Sequence, residues 1–591
     1  MSINTYNGIK FLFGAVTSVF FREVRETGVH LVPKDDPCIF VVAPHSSQFV
    51  DPGMVLISSP RPFAPLMAQS SFKRKVIGTA ARLLNAIPVI RPQDLATKGT
   101  GTLRARGSNQ IIGNGTRFTQ ETGTRDLLVL SKTVKVEVLE VNSDMEITLK
   151  APLDEEALEL LSSDISYNIV PHVDQHVLFE KVHERLAESQ CIVIFPEGGS
   201  HDRTEMLPLK AGFAIMALGA MAAHENINVK IVPVGLNYFH PHRFRSRAVV
   251  SYGAPITVEP EWVEKYKQGG PAKREAIAAL LDAGYDGLKS VTLNAPNYDT
   301  LMTIAAARRL YRPAAEHKLR LDQVVELNRR FLLGYKHFEN DPRLVELMRK
   351  VQAYNNTLKY FGLRDHQVER TKKSRFSAAK VLGERLLMLA FLSLFGLPAL
   401  LLNCPIVILA LLISQKKQKE ALAGSSVKIA ARDVIATWKV LVTLIVAPAL
   451  YGLYSCLLFA YLRIHCHDQS LFQSFSLSFI TWLVQPFLQY FGVRLLENGL
   501  DIYKSLKPLV MAMSNPDGAA ELRTMREQLS EHITNFVIEN GPSALEDFDA
   551  HKFDNMENRR KSWRGLLDGN MPSDRSLFHF SGHSDDSDND N

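Results

Sequence analysis

The sequence predicts an α/β fold, a mixed sheet flanked by helices. To it are joined a β-rich insertion, a helical module and a C-terminal α-helical membrane region. Three observations carry this. First, Cys38–Ala43, Cys191–Phe195 and Ile231–Val234 are short apolar runs ending at Pro or Gly turns, with helical patterns such as Leu209–Ala223 between them; buried strands alternating with helices read this way. Second, between Arg91 and Gln190 the text changes: Gly, Thr and Ser are dense from Thr97 to Thr124, and Val134–Val138 and Glu146–Leu149 alternate, as half-buried strands do. Third, Leu386–Ile413, Val440–Leu462 and Leu471–Val493 carry no charge, and each meets the roughly 20 apolar residues of a bilayer span.

Taken in order, residues 1–30 hold the apolar stretch Ile9–Phe21, short for a span and followed by no small-residue cleavage site; a helix lying in the membrane interface is expected. Residues 31–265 form the α/β unit, with the insertion at about 95–185. Residues 266–385 read as helices at Ala272–Leu288, Tyr298–Tyr311, Leu321–Phe338 and Pro342–Tyr360. Residues 386–495 are the membrane region. Lys372, Lys373, Arg375, Lys380 and Arg385 precede its first run, and Lys416, Lys417, Lys419, Lys428 and Arg432 follow it, so both flanks favour the cytosolic side. Gly396, Pro398, Asn403 and Pro405 interrupt that run; a re-entrant hairpin or one long tilted span fits. The next two runs form an out-and-back pair. Residues 496–591 return to the cytosol, with a helix near Ala519–Ile538 and an acidic, serine-rich end, Ser581–Asn591, expected to be disordered.

Composition excludes several classes. A formal charge of +6 over 591 residues, with no concentrated basic helix, argues against a nucleic-acid partner. The cysteines Cys38, Cys191, Cys404, Cys456 and Cys466 form no CxxC pair and read as free thiols of a reducing compartment. In His465-Cys466-His467-Asp468 adjacent side chains diverge too much to share one ion, so no metal is assigned. Gly99–Gly115 lacks Gly-Lys-Ser/Thr, which rejects a P-loop.

The chemistry lies at the strand ends. His45-Ser46-Ser47-Gln48-Phe49-Val50-Asp51 follows the run Cys38–Ala43. An imidazole held by a carboxylate can take a proton from a hydroxyl that attacks an acyl group. Asp51 ahead of Pro52 also reads as a helix cap. Phe195-Pro196-Glu197-Gly198-Gly199-Ser200 ends another strand in a glycine turn, where backbone N–H groups can approach a phosphate or oxyanion and Glu197 can meet acceptor hydroxyls. Arg91 follows Ile87–Ile90, and its planar fork suits a phosphate monoester. Pro233 and Gly235 either shape an acyl or CoA channel or belong to a core strand.

Together and in this order, these stretches resemble the glycerol-phosphate acyltransferase family, defined by a His–Asp motif and a Phe-Pro-Glu-Gly motif. Pro-His-Ser-Ser-Gln-Phe-Val-Asp-Pro at 44–52 and Phe-Pro-Glu-Gly-Gly-Ser-His-Asp-Arg at 195–203 look like its fungal, endoplasmic-reticulum branch. Asn294-Ala295-Pro296 and the three apolar runs look like that branch too. The motifs cover about residues 38–255. The resemblance implies an α/β acyltransferase domain. It also implies transfer from acyl-CoA, a substrate rather than a cofactor, to glycerol 3-phosphate or dihydroxyacetone phosphate. The setting would be a multi-pass membrane protein whose catalytic domain faces the cytosol. By the same resemblance His45 and Asp51 are catalytic, Arg91 binds acceptor or phosphate, and Glu197 and Gly198 support the site. Two departures stand out. Five residues, not four, separate His45 from Asp51, and Gly199-Ser200 replace the family's usual Thr-Arg. Arg203, with Lys210 behind it, is the substitute for the missing arginine. A lysophospholipid or lysophosphatidate acyltransferase, or a non-catalytic membrane scaffold, are the rival readings.

Overall fold

The computed structural model describes residues 3–548 apart from 48–49, 74, 132, 225, 240–244, 294, 297, 313–318, 369–374, 424–427, 467–468 and 546–547. Gln48, Phe49, Asn294, His467, Asp468 and the serine-rich end lie outside the described residues.

The central sheet has eight strands: β1 (Phe21–Thr27), β2 (Cys38–Ala43), β3 (Phe63–Ala68), β4 (Ile87–Val89), β5 (Cys191–Ile194), β6 (Lys230–Tyr238), β7 (Ser246–Tyr252) and β8 (Ile256–Thr257). The order is β1-β7-β6-β2-β5-β3-β4, with β8 pairing β6. From β6 to β4 every pairing is parallel, whereas β7 and β8 run antiparallel to β6. Five strands therefore end on one edge, where open α/β sheets place their ligands.

The central strand explains its own position. All six residues of β2, Cys-Ile-Phe-Val-Val-Ala, are buried, the continuous apolar run of a strand covered on both faces. Ile39, Val41 and Ala43 pack with α3 (His176–Ala187), α4 (Gly212–Ala223), α5 (Pro260–Gln268) and α6 (Gly270–Val291) through Val182, Phe213, Val263 and Leu280. Cys38, Phe40 and Val42 pack with α1 (Ile3–Phe20) and α2 (Val50–Ser58) through Tyr6, Phe20, Met54 and Leu56. The outer side of α1 remains apolar, with Phe11 79% and Leu12 61% exposed, as an interfacial helix requires.

Two groupings differ from the sequence reading. Helix α6, read there as the start of the helical module, belongs to the sheet's core. Its Gly287 lets Pro233 approach so closely that a Cβ there would lie 2.7 Å from the proline ring. The helical module itself, α7 (Tyr298–Leu310), α8 (Leu321–His337) and α9 (Pro342–Phe361), is completed by chain from beyond the membrane region. There α13 (Leu506–Ser514) and α14 (Pro516–Ala544) insert Met511, Leu522, Leu529 and Ile533 among Leu310, Val351, Tyr354 and Leu358. A buried tie fixes this union: Tyr354 donates to Asp365 Oδ1 at 2.8 Å, and Arg526 Nε reaches the same oxygen at 3.0 Å. The insertion builds a separate seven-stranded antiparallel sheet between Thr97 and Val170, around Leu103, Ile111, Phe118, Leu128 and Ile147.

Among the described residues, three helices are long and apolar enough to cross a membrane, and they lie in α10 (Arg375–Ala423), α11 (Arg432–His465) and the stretch that begins with α12 (Leu471–Lys504). The re-entrant hairpin considered for 386–413 is absent there: α10 is one helix of 49 residues that carries Pro398 and Pro405 within it. At about 1.5 Å per residue it is roughly 74 Å long. Near its start Arg385 donates to the Ser505 carbonyl at 3.2 Å. Just past its end Lys428 donates to the Ser200 carbonyl at 2.7 Å. The segment after α10 is thus tied to the chain that follows β5, and the first part of α10 to the residue that follows α12.

Arg526→Ala strands the buried Asp365 carboxylate without its cation. Loss of one partner from a buried pair costs about 3–5 kcal/mol, so thermal unfolding of the detergent-purified variant should begin well below wild type. Adding Asp365→Asn should restore part of the loss.

Candidate active site

The loop after β2 and the start of α2 bring two side chains together at the sheet edge. His45 Nδ1 lies 2.8 Å from Asp51 Oδ2. The same oxygen accepts the Ser47 N–H at 2.8 Å, and Oδ1 accepts the Tyr238 hydroxyl at 2.7 Å. Asp51 is fully buried, and the His45 side chain keeps only 11% of its surface. The imidazole stacks on Phe195 with ring centroids 4.3 Å apart. Burial, reinforced by the Asp51 charge, pushes the Tyr238 hydroxyl well above the usual phenol range; it therefore stays protonated and donates. With an acceptor carboxylate on Nδ1, a neutral imidazole carries its proton there and leaves Nε2 as the basic nitrogen.

Glu197 braces this loop from the neighbouring strand. Its Oε2 accepts the His45 backbone N–H at 2.6 Å. Its Oε1 accepts the Leu207 N–H and meets His201 Nε2, both at 2.9 Å. His201 N–H in turn donates to the His45 carbonyl at 2.9 Å. The Glu197 side chain is fully buried, so both carboxylate oxygens serve the protein. In this geometry the residue is a strut between two loops rather than a partner for acceptor hydroxyls. Gly198 takes φ +75°, and a Cβ there would sit 2.4 Å from Lys210 Nζ; only glycine fits the turn without strain. Its N–H donates to Phe195 O at 3.1 Å, which commits that donor to the turn.

The remaining expected residues divide. Gly198, Gly199, Arg203 and Lys210 are exposed on the glycine turn and the segment after it. Ser200 is partly covered, with its carbonyl and hydroxyl both accepting from Lys428. Arg91 lies on the same sheet edge but three strands from β2, roughly 14 Å at about 4.8 Å per strand. Its guanidinium grips Asp94 through Nη2 at 2.8 Å and Nε at 3.1 Å, so the structure does not bring it into the His45 cluster. Pro233 faces α6 within the core; the channel reading gives way to the core strand, because its position in β6 points it at Gly287.

Sequence reasoning missed Tyr238, His201 and Thr437. Tyr238 is the last residue of β6, after the apolar run Ile231–Leu236 and Asn237, and His201 follows Glu197 by four residues; both signals were present. Thr437 had none. Its hydroxyl lies 2.8 Å from that of Ser47, across 390 residues of chain. Asp202 accepts the N–H groups of Ile429 and Ala430, each at 2.8 Å. Lys428, Ile429 and Ala430, just ahead of α11, are therefore bonded to the loop after β5 beside this cluster.

Residues 303–545 match the glycerol-3-phosphate acyltransferase 2 C-terminal domain family, and residues 123–237 match the acyltransferase family. The chain is 41% identical over 541 residues to glycerol-3-phosphate O-acyltransferase 1 of Saccharomyces cerevisiae, covering 90% of this chain and 70% of that one. It is 37% identical over 597 residues to glycerol-3-phosphate O-acyltransferase 2 of the same yeast, covering 92% and 79%. It is also 40% identical over 558 residues to an uncharacterised acyltransferase of Schizosaccharomyces pombe, covering 92% and 82%.

Glu197→Ala leaves the buried His45 N–H and the half-buried Leu207 N–H without their acceptor. Each such orphan costs about 1–3 kcal/mol. The variant should melt earlier than wild type and expose the 197–207 segment to protease, whereas Glu197→Gln, which keeps an acceptor oxygen, should lie between the two.

Proposed function

The chain belongs to the glycerol-3-phosphate O-acyltransferase family, and on that premise we propose that it moves a fatty acyl group from acyl-CoA to the sn-1 hydroxyl of glycerol 3-phosphate. Dihydroxyacetone phosphate is the second acceptor. The observation that carries this reading is the 2.8 Å contact between His45 Nδ1 and Asp51 Oδ2 at the carboxyl edge of the sheet.

In the proposed step, His45 Nε2 takes the proton of the acceptor hydroxyl as its oxygen attacks the thioester carbonyl. Asp51 stabilises the imidazolium that forms, and Tyr238 holds Asp51 in place. The oxyanion develops beside the exposed Gly198–Gly199 turn, where the Lys210 ammonium lies over Gly198 and adds positive charge. The tetrahedral intermediate then collapses. The sulfur leaves with the electron pair of the C–S bond and takes the proton from His45, giving CoA and 1-acylglycerol 3-phosphate. Arg203 and Lys210 on the glycine side supply cations for the acceptor phosphate. No cofactor enters this scheme.

The proposed setting is the endoplasmic-reticulum membrane, with the catalytic domain on the cytosolic side. Helices α11 and α12 go out and back, so that α13 and α14 return to the side of α7–α9, with which they share a core. The long acyl chain and the lipid product partition into the bilayer beside the site.

CoA release by the purified protein, with glycerol 3-phosphate, dihydroxyacetone phosphate and lysophosphatidate offered side by side, tests the reading. Release with the two small phosphates supports it; release with lysophosphatidate alone overturns the acceptor assignment. His45→Ala should abolish release while the protein still folds. Asp51→Asn should lower kcat by about 10²–10⁴-fold, the usual worth of general-base help, and Tyr238→Phe by less, with KM little changed, since it removes one support of Asp51 and leaves the base in place.

A further inference from the structure

A cavity of about 710 Å³ lies between α1 and the membrane helices α10, α11 and α12. That volume is within the roughly 300–1,000 Å³ of small-molecule sites. Its walls are aliphatic over most of their length: Val16 and Val19 from α1, Val407 and Ala410 from α10, Ala447 from α11 and Leu483 from α12. One end meets the catalytic machinery. Val50, the residue before Asp51, lines the cavity. Two residues before Lys439, the first wall residue of α11, Thr437 holds the hydroxyl of Ser47.

The other end changes character. Tyr451 donates to Asn403 Oδ1 at 2.8 Å, and Asn403 Nδ2 donates to Gln489 Oε1 at 2.6 Å. These three polar side chains come from three different membrane helices, and all three line the cavity. Trp482 lies beyond them, its indole nitrogen 3.7 Å from where a Cβ on Gly452 would stand. Polar groups at such depth are costly unless they satisfy one another, as these do; an apolar chain gains nothing by passing them. From Lys439 to Tyr451, the first and last wall residues of α11, is twelve residues, about 18 Å at 1.5 Å each. An extended hydrocarbon advances roughly 1.25 Å per bond, given C–C bonds of about 1.5 Å, so about 14 carbons span that distance.

We propose that this cavity holds the fatty chain of the acyl-CoA substrate, and that the Asn403–Tyr451–Gln489 network is the stop that sets chain length. The inference rests on the acyltransferase reading above. It names a segment of the chain, the membrane helices, as the selector of the acyl donor. The mouth beside Asp51 delivers the thioester to the base, and the remainder of the chain lies along α11. Ala447 is one helical turn nearer the mouth than Tyr451, so a large side chain there shortens the chamber without touching the stop.

The test compares octanoyl-, myristoyl- and palmitoyl-CoA as donors to glycerol 3-phosphate, for wild type and Ala447→Phe in nanodiscs. The expected result is a fall of about 10-fold or more in the ratio of kcat/KM for palmitoyl- over octanoyl-CoA, the scale on which pockets discriminate chain increments. An unchanged ratio overturns the proposal. A second measurement uses wild type alone and does not depend on the variant folding. Palmitoyl-CoA carrying a diazirine on its terminal carbon should label peptides that contain Tyr451 or Trp482, and excess palmitoyl-CoA should suppress the label. Labelling confined to other segments, or label displaced by bilayer phospholipid and not by palmitoyl-CoA, overturns the proposal in favour of a lipid-filled cavity. Wild type that consumes none of the three thioesters contradicts the acyltransferase reading itself, whereas turnover with an unshifted ratio removes only the chamber.

Discussion

The buried carboxylate of Asp51 is the point on which the catalytic edge depends. It has no exposed surface, and its two oxygens take three donors from three places: the His45 ring, the Ser47 backbone and the Tyr238 hydroxyl. A buried carboxylate is tolerable only when bonded in this way. The same bonds fix which imidazole nitrogen is free. One buried group thus ties the loop after β2 to the end of β6, and the pairing of these two strands is what lets His45 and Tyr238 both reach it.

A second layer keeps the loop from moving. Glu197 joins the loop after β5 to the loop after β2, and His201 closes the circuit through the His45 carbonyl. Beyond it, the α10–α11 connection holds Ser200 and Asp202, and Thr437 holds Ser47. The membrane helices are therefore bonded to the loops around His45 and Asp51 and are not a tether alone. The union of α14 with α7 and α9 points the same way: the chain leaves the soluble part, forms the membrane helices and returns to close a core that it had left open.

The strands were legible because buried strands announce themselves. Six consecutive apolar residues in β2 admit few alternatives, and the parallel ends follow from the helices between them. His45, Asp51 and the glycine turn were legible as types because each stands where an apolar run stops. Their exact bonding was not. Glu197 reads as a free carboxylate until His45, His201 and Leu207 are seen around it, and Arg91 reads as a free cation until Asp94 is placed three residues on. Pro233 was ambiguous because a strand's inward and outward faces look alike when both are buried. The long-range ties, Thr437 to Ser47 and Arg526 to Asp365, leave no local trace. The sequence left a hairpin and one long span both open at α10, because two prolines that usually end helices are here accommodated within one of 49 residues.

The central claim is that His45, steered by Asp51 through Nδ1, presents Nε2 to the acceptor hydroxyl beside the thioester. A structure of the full-length protein with glycerol 3-phosphate and a non-reactive thioether analogue of acyl-CoA measures this directly. The account predicts the sn-1 oxygen within about 3.2 Å of His45 Nε2, hydrogen-bond reach for a general base, with the Asp51 contact retained. An acceptor oxygen bound outside that reach, or an imidazole turned away from Asp51 in the complex, contradicts it.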